Sequence, residues 1–167
     1  WIAVLYTFLF TGIIPFGLIA VMRFCGQASD LDLTDRRQRI IPYAAGTLCY
    51  AAACIYFHKA HAPEWFYMFF AGAGASILVS LLISLRWKIS AHAAAMGGWM
   101  AMMLRIMTGP YITADLASFA FPCIVIFTGA VCTSRLILGA HTPMQLLAGL
   151  INGFACVWIC TSIATQY

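Results

Sequence analysis

The chain has 167 residues, 63% of them hydrophobic and only 8% charged, against about 25% charged in a soluble domain. Water is therefore not its main solvent. A net charge of +4 from nine basic and five acidic residues, without basic runs, excludes a nucleic-acid binder.

Crossing the hydrocarbon as a helix takes about 20 apolar residues. Six stretches approach that length: Trp1 to Met22, Ile41 to Phe57, Trp65 to Leu85, His92 to Thr108, Ala114 to Ser134 and Pro143 to Ile163. Backbone groups in lipid must be satisfied within their own segment, and no ten-residue alternation suggests a barrel. The pattern predicts an all-α, polytopic membrane helical bundle of about six transmembrane helices, forming one domain over residues 1–167. The second and fourth stretches are short, and both suit burial inside the bundle. Small-residue steps at Gly72 and Gly74, Gly97 and Gly98, and Gly149 and Gly153 predict close helix approach, as generic packing rather than a dimer seam. Pro122 predicts a kink in the fifth helix. Seven cysteines form no CxxC pair and read as small hydrophobes, not as metal ligands or disulfides. The first residue is Trp1 and not Met, so the natural start is expected upstream, and no cleavable signal is identified.

Polar residues are unevenly placed. Arg23, Asp30, Asp32, Asp35, Arg36, Arg37 and Arg39 crowd the first connection. Counting spans, this connection opens on the same side as the turns near residues 86–92 and 134–142. The other side holds His58, Lys59, His61, Glu64 and Asp115, with Arg105 in snorkelling reach of a pair with Asp115. Three polar connections on one face form the natural place for a site.

The residue types there suit a phosphate. Arg135 offers planar bidentate donors, although an arginine at a helix end also snorkels to headgroups. Ser90 is a good N-cap for the fourth helix, whose free N–H groups and positive dipole end make an anion cradle. Thr142-Pro143 opens the sixth helix with proline in its first turn, and His141 stands just outside it. Gln145 completes a Thr142-x-x-Gln145 capping box and also lies within reach of His141. Arg36, Arg37 and Arg39 read either as phosphate ligands or as an anchor on anionic lipid. Lys88 reads either as a phosphate ligand or as interfacial. His58 and His61 lie on the far side with Lys59, and Asn152 reads as interhelical glue.

Two of these stretches, Ser134-Arg135-x5-His141 and Ser90-Ala91-His92, resemble the third and second motifs of the type 2 phosphatidic acid phosphatase (PAP2) superfamily. Ile89 and Ala91 replace the Pro and Gly of the second motif, and Gln145 replaces the Asp that closes the third. For the first motif only Asp35-Arg36-Arg37-Gln38-Arg39-Ile40-Ile41-Pro42 offers comparable chemistry. The resemblance implies an integral membrane lipid phosphatase. His141 would be the nucleophile that becomes phosphohistidine, and His92 the general acid and base. Arg135, Ser90, Arg36, Arg39 and Lys88 would bind phosphate, and Gln145 would orient His141. It implies no metal or cofactor, a lipid phosphate or diphosphate as partner within the bilayer, and no nucleic acid. It also implies a multi-pass protein of a bacterial inner membrane with its site facing the periplasm, although basic residues on the site side argue by positive-inside counting for the cytoplasm. Two other functions are weighed. A non-catalytic lipid-phosphate binder or transporter would explain the lost Asp, and a haem carrier would need histidines paired across helices.

Overall fold

The computed structural model describes residues 1–29, 33, 35–109 and 114–163, with the backbone alone at 114, 115 and 117. Asp30 and Asp32 lie outside the described residues, as does the side chain of Asp115. The described elements are helical. The first span is α1 (Ile2–Phe8), a π-helical turn (Leu9–Ile13) and α2 (Ile14–Phe24), followed by a 3-10 turn (Arg36–Arg39). Then come α3 (Ile40–Lys59), α4 (Glu64–Ser84), α5 (Ala91–Thr108), α6 (Ala114–Ile137) and α7 (Pro143–Ile163). Five spans are long and apolar enough to cross a membrane, which makes this a multi-pass membrane protein.

The six expected stretches correspond to these helices, with one change. The second stretch is not short: α3 has 20 residues, because Ile40 extends it at its start and His58 and Lys59 extend it at its end. The fourth, α5, buries Ala93, Ala94, Gly97, Gly98, Ala101 and Met102. This small-residue face is clasped by α7. A Cβ at Gly153 would run into the Ala94 carbonyl, one at Gly97 into the Leu150 carbonyl, and one at Gly149 would come within 2.6 Å of the Ser90 carbonyl oxygen. The GxxxG of α7 is thus an intramolecular seam, where absent side chains let backbones meet. Next to it, Asn152 of α7 donates to the carbonyl and hydroxyl of Ser76 and to the hydroxyl of Ser80 on α4. Asn152 does act as interhelical glue.

The first span meets α3 through the rings of Tyr6 and Tyr56, 4.4 Å apart, and α3 packs on α4 through Phe57 and Phe70, stacked at 5.1 Å. Elsewhere the wall of the first span faces outward, with Trp1, Phe8 and Phe24 all exposed, as lipid contact requires. Pro122 stands inside α6. All seven cysteines are free thiols.

Candidate phosphate-binding active site

The site end is assembled by helix ends. α6 closes with two backbone bonds, Gly139 N–H to the Leu136 carbonyl and Ala140 N–H to the Arg135 carbonyl. This pattern needs a left-handed residue just past the helix, supplied by Gly139 at φ 61°. Two residues later α7 opens with reciprocal caps: Thr142 Oγ1 accepts from Gln145 N–H at 3.4 Å, and Gln145 Oε1 accepts from Thr142 N–H at 3.2 Å. The five residues between Arg135 and His141 are therefore the length of one helix stop plus the approach to one helix start. α5 opens on Ser90, whose hydroxyl accepts from Ala93 N–H at 3.3 Å. The two starts touch, since Ser90 N–H donates to the Gln145 carbonyl at 3.4 Å.

The first connection is tied to the same place. Arg39 is buried at 5% exposure and donates from Nε to the Leu33 carbonyl at 2.6 Å and from Nη1 to the Ile89 carbonyl at 2.9 Å. Arg36 donates to the Leu85 carbonyl at 3.0 Å. Among the described residues the hydrogen-bond partners of this buried guanidinium are neutral carbonyls, and a buried positive charge is stabilised by a nearby anion.

A cavity of about 610 Å³ opens here. Arg39, Lys88, His92, Arg135 and His141 line its head, and Phe16, Ile19, Tyr50, Ile77 and Trp99 line a shaft running into the bundle. Along α3 the lining extends from Arg39 to Tyr50, about 16 Å of helix and roughly half the hydrocarbon thickness. Arg36 and Ser90 are absent from the lining: Arg36 straps the 3-10 turn to the end of α4, and Ser90 is fully buried as a cap. Arg37 is exposed.

His141 is 8% exposed. Its Nδ1 lies 3.2 Å from Gln145 Oε1. The same oxygen accepts from Thr142 N–H, which can only donate, so this atom is the amide carbonyl and Nδ1 carries the ring proton. The lone pair is then on Nε2. Desolvation by burial lowers the His141 pKa to about 4; the Gln145 hydrogen bond opposes this, while the charges of Arg39, Lys88 and His92 add to it. His141 is neutral at pH 7. Gln145 serves at once as the cap of α7 and as the hydrogen-bond partner of His141, so the two readings of this residue are not alternatives.

Three helices start at this end, α3, α5 and α7, and each start carries a positive partial charge. Arg39 and Lys88 sit at those starts, with His92 and the neutral His141 beside them. Residues that the sequence reading missed are Tyr43, Ser76 and Ser80, which line the shaft. The four-residue spacing Ser76-Ser80-Ser84 along one face of an apolar helix was the available signal.

A multi-pass helical bundle with a cavity lined at one end by Arg39, Lys88, His92, Arg135 and His141 defines the class. The PAP2 superfamily pattern matches residues 70–166, more than half of the chain, and the chain belongs to that superfamily, a family typically of phosphatases. No curated protein and no solved structure shows significant similarity to it. The matched region holds Lys88, His92, Arg135 and His141. Arg39 lies outside it, and burial at the cavity head places it with them.

Proposed function

We propose that this protein hydrolyses a lipid phosphate monoester or diphosphate through a phosphohistidine, with the headgroup at the cavity head and the chain in the shaft. The observation that carries this reading is the buried, neutral His141, with Nδ1–H held by Gln145 and Nε2 free, at the mouth of a cavity whose head is cationic and whose shaft is apolar. Nε2 attacks phosphorus as the bond to the leaving oxygen breaks, and His92, as imidazolium, gives that oxygen its proton. Water then attacks the phosphohistidine, His92 takes the water proton, and phosphate and the free imidazole are restored. Arg39, Arg135 and Lys88, with the helix starts, stabilise the charge on the equatorial oxygens.

Orthophosphate release from a panel of lipid phosphates by purified protein, beside His141→Ala, tests the activity. Trapping of an acid-labile phosphoenzyme in wild type tests the intermediate. Binding of the lipids without turnover would favour the non-catalytic binder instead. Inhibition by vanadate and insensitivity to chelators are the expected accompaniments; restoration of chelated enzyme by Mg²⁺ or Zn²⁺ would overturn the mechanism.

We place the site on the periplasmic side of a bacterial inner membrane. Cys25 is exposed at the site end, while the other six cysteines are partly buried within helices. A membrane-impermeant maleimide should therefore label Cys25 in intact cells, and labelling only after lysis would reverse the orientation.

A further inference from the structure

One wall of the shaft is polar in a way that phosphate binding does not explain. Asn152 Nδ2 donates to the Ser76 carbonyl at 2.9 Å, which fixes the amide's orientation because a carbonyl can only accept. The same nitrogen approaches the hydroxyls of Ser76 at 3.1 Å and Ser80 at 3.0 Å, so both hydroxyls act there as acceptors. Each keeps its own hydrogen, and neither hydrogen is donated among the described residues. Both residues are buried, at 6% and 2% exposure, and both line the shaft. They stand about 6 Å apart along α4, one turn of helix. Nearer the head, Tyr43 sits one turn inside Arg39 and also lines the shaft. Its hydroxyl neighbours Arg39 and Ser84, yet meets no partner at hydrogen-bonding geometry. Three hydroxyl donors without acceptors thus face a cavity otherwise walled by Phe16, Ile19, Ile77 and Trp99. Buried donors are costly unless paired, and what would pair these is a neutral acceptor just inside the phosphate.

We infer that Tyr43, Ser80 and Ser76 form a second subsite that hydrogen-bonds the carbonyl oxygens of an acyl-linked lipid phosphate. An ester or amide carbonyl lies a few bonds from the phosphate in such lipids. An isoprenyl phosphate has only hydrocarbon there and would leave all three donors unpaired. The subsite therefore reads the linkage between headgroup and chain, and selects acyl-linked substrates over isoprenyl and ether-linked ones. This inference rests on the phosphatase reading, which it deepens by naming the substrate class.

The decisive comparison is a diacylglycerol phosphate against its dialkyl-ether analogue, which has the same shape and headgroup but no carbonyls. Farnesyl phosphate serves as the isoprenyl arm, and all are assayed in mixed micelles with purified full-length protein. Wild type should favour the diacyl lipid over the ether in kcat/KM by about 5- to 10-fold, the scale of one or two hydrogen bonds. Tyr43→Phe, which keeps the ring, and Ser80→Ala should each bring that ratio toward one. Thr128→Ala should keep the ratio, because Thr128 lies on α6 outside the lining. A wild-type ratio near one, a preference for farnesyl phosphate, or equal loss on both glycerolipids in Tyr43→Phe would overturn the subsite; the last is the result expected if the strip only holds water. Should folded protein hydrolyse none of the lipids, the phosphatase reading fails by itself. Equilibrium binding of the same diacyl and ether pair then decides the subsite: tighter diacyl binding supports it and equal binding sinks it.

Discussion

The two ends of the bundle carry nearly the same residue types and use them in opposite ways. At the far end stand His58, Lys59, His61 and Arg105. Here α3, α5 and α7 finish, and cations belong at helix C-termini. Arg105 donates from Nε and Nη2 to the Thr161 carbonyl at 3.3 and 3.2 Å and lies 5.5 Å from the centre of the Trp158 ring. The side chain of Asp115, the partner expected from sequence, lies outside the described residues. His58 packs edge-on against Tyr67, whose hydroxyl donates to Glu64. Arg105 and His58 are thus answered by neighbours in the fold. At the site end, His92, His141, Lys88 and Arg39 stand where the same helices begin. Arg39 and Lys88 bring positive charge to those positive helix ends, and a cavity opens between them. Composition does not mark a site; the polarity of the helices that carry the charges does.

The largest expected effect separates the histidines. His141→Ala should remove phosphoenzyme formation and lower lipid phosphate release by at least about 10³-fold, the loss typical of a deleted nucleophile. His61→Ala, in the exposed turn after α3, should change turnover by less than about twofold. His92→Ala should fall between them, with its greatest loss on substrates whose leaving oxygen is most basic. Steady-state release and acid-quenched labelling measure all three. Near-normal turnover in His141→Ala would mean that the two ends do not differ chemically as argued.

A second contrast concerns the arginines. Arg39→Gln removes a charge from the cavity head and should cost kcat/KM about 10²-fold, in the range of losing a donor to developing charge. Arg105→Gln removes a helix cap and a ring contact, and should lower thermal stability by roughly 1 kcal/mol with kcat/KM within about twofold. Equal kinetic losses in the two variants would place the anion elsewhere.

Acidity gives a third, smaller effect. His141 is held at about 4, so the acid limb of kcat/KM should fall near pH 4, well below the 6.5 of a free imidazole. Activity is lost as pH drops through that value because the attacking lone pair is protonated. Arg39→Gln removes a nearby positive charge that disfavours the imidazolium, so the limb should move to higher pH. The same sign governs stability: the unfolded chain binds a proton between pH 6.5 and 4 that the folded one does not, so stability declines as pH falls across that window.

How much of this was legible before the structure depended on the range of the interactions involved. Helix positions were legible because spans in lipid are set by length and hydropathy, and the end of α3 shifted only because His58 and Lys59 can snorkel. The common place of Arg135 and His141 in the cavity lining was legible because they lie six residues apart across one helix stop. The burial of Arg39 was not, since its partners, the carbonyls of Leu33 and Ile89, lie six and 50 residues away. From sequence, Arg36, Arg37 and Arg39 looked alike. In the fold one straps α4, one is exposed and one enters the cavity. The hydroxyl wall was hidden for a similar reason, because Ser76 and Ser80 become a surface only when Asn152 meets them from α7.

The smallest expected effect tests the link that joins cap to catalysis. Gln145 Oε1 accepts from both Thr142 N–H and His141 Nδ1, so a neutral carbonyl fixes the tautomer but adds nothing to stabilise the charge that the ring gains on phosphorylation. Gln145→Glu is nearly isosteric and keeps both acceptor roles. It also brings a full negative charge to the imidazole, and an acid in the first turn of α7 favours the helix by about 0.3–1 kcal/mol. The same charge lies near the phosphate and repels it, which limits the gain. Single-turnover phosphorylation should rise by roughly 3- to 10-fold, well short of the 10⁴-fold seen where losing the charged partner also spoils the tautomer. The acid limb should move above pH 4, because a neighbouring anion favours the imidazolium. Gln145→Asp supplies the charge with a side chain one methylene shorter, so it should raise the rate while weakening the cap to Thr142 and with it the stability. Rapid-quench labelling on one lipid substrate, beside thermal unfolding of each variant, separates these outcomes. A rate that stays level or drops in both variants, with an unmoved acid limb, would show that residue 145 holds the helix start alone and that another group orients His141.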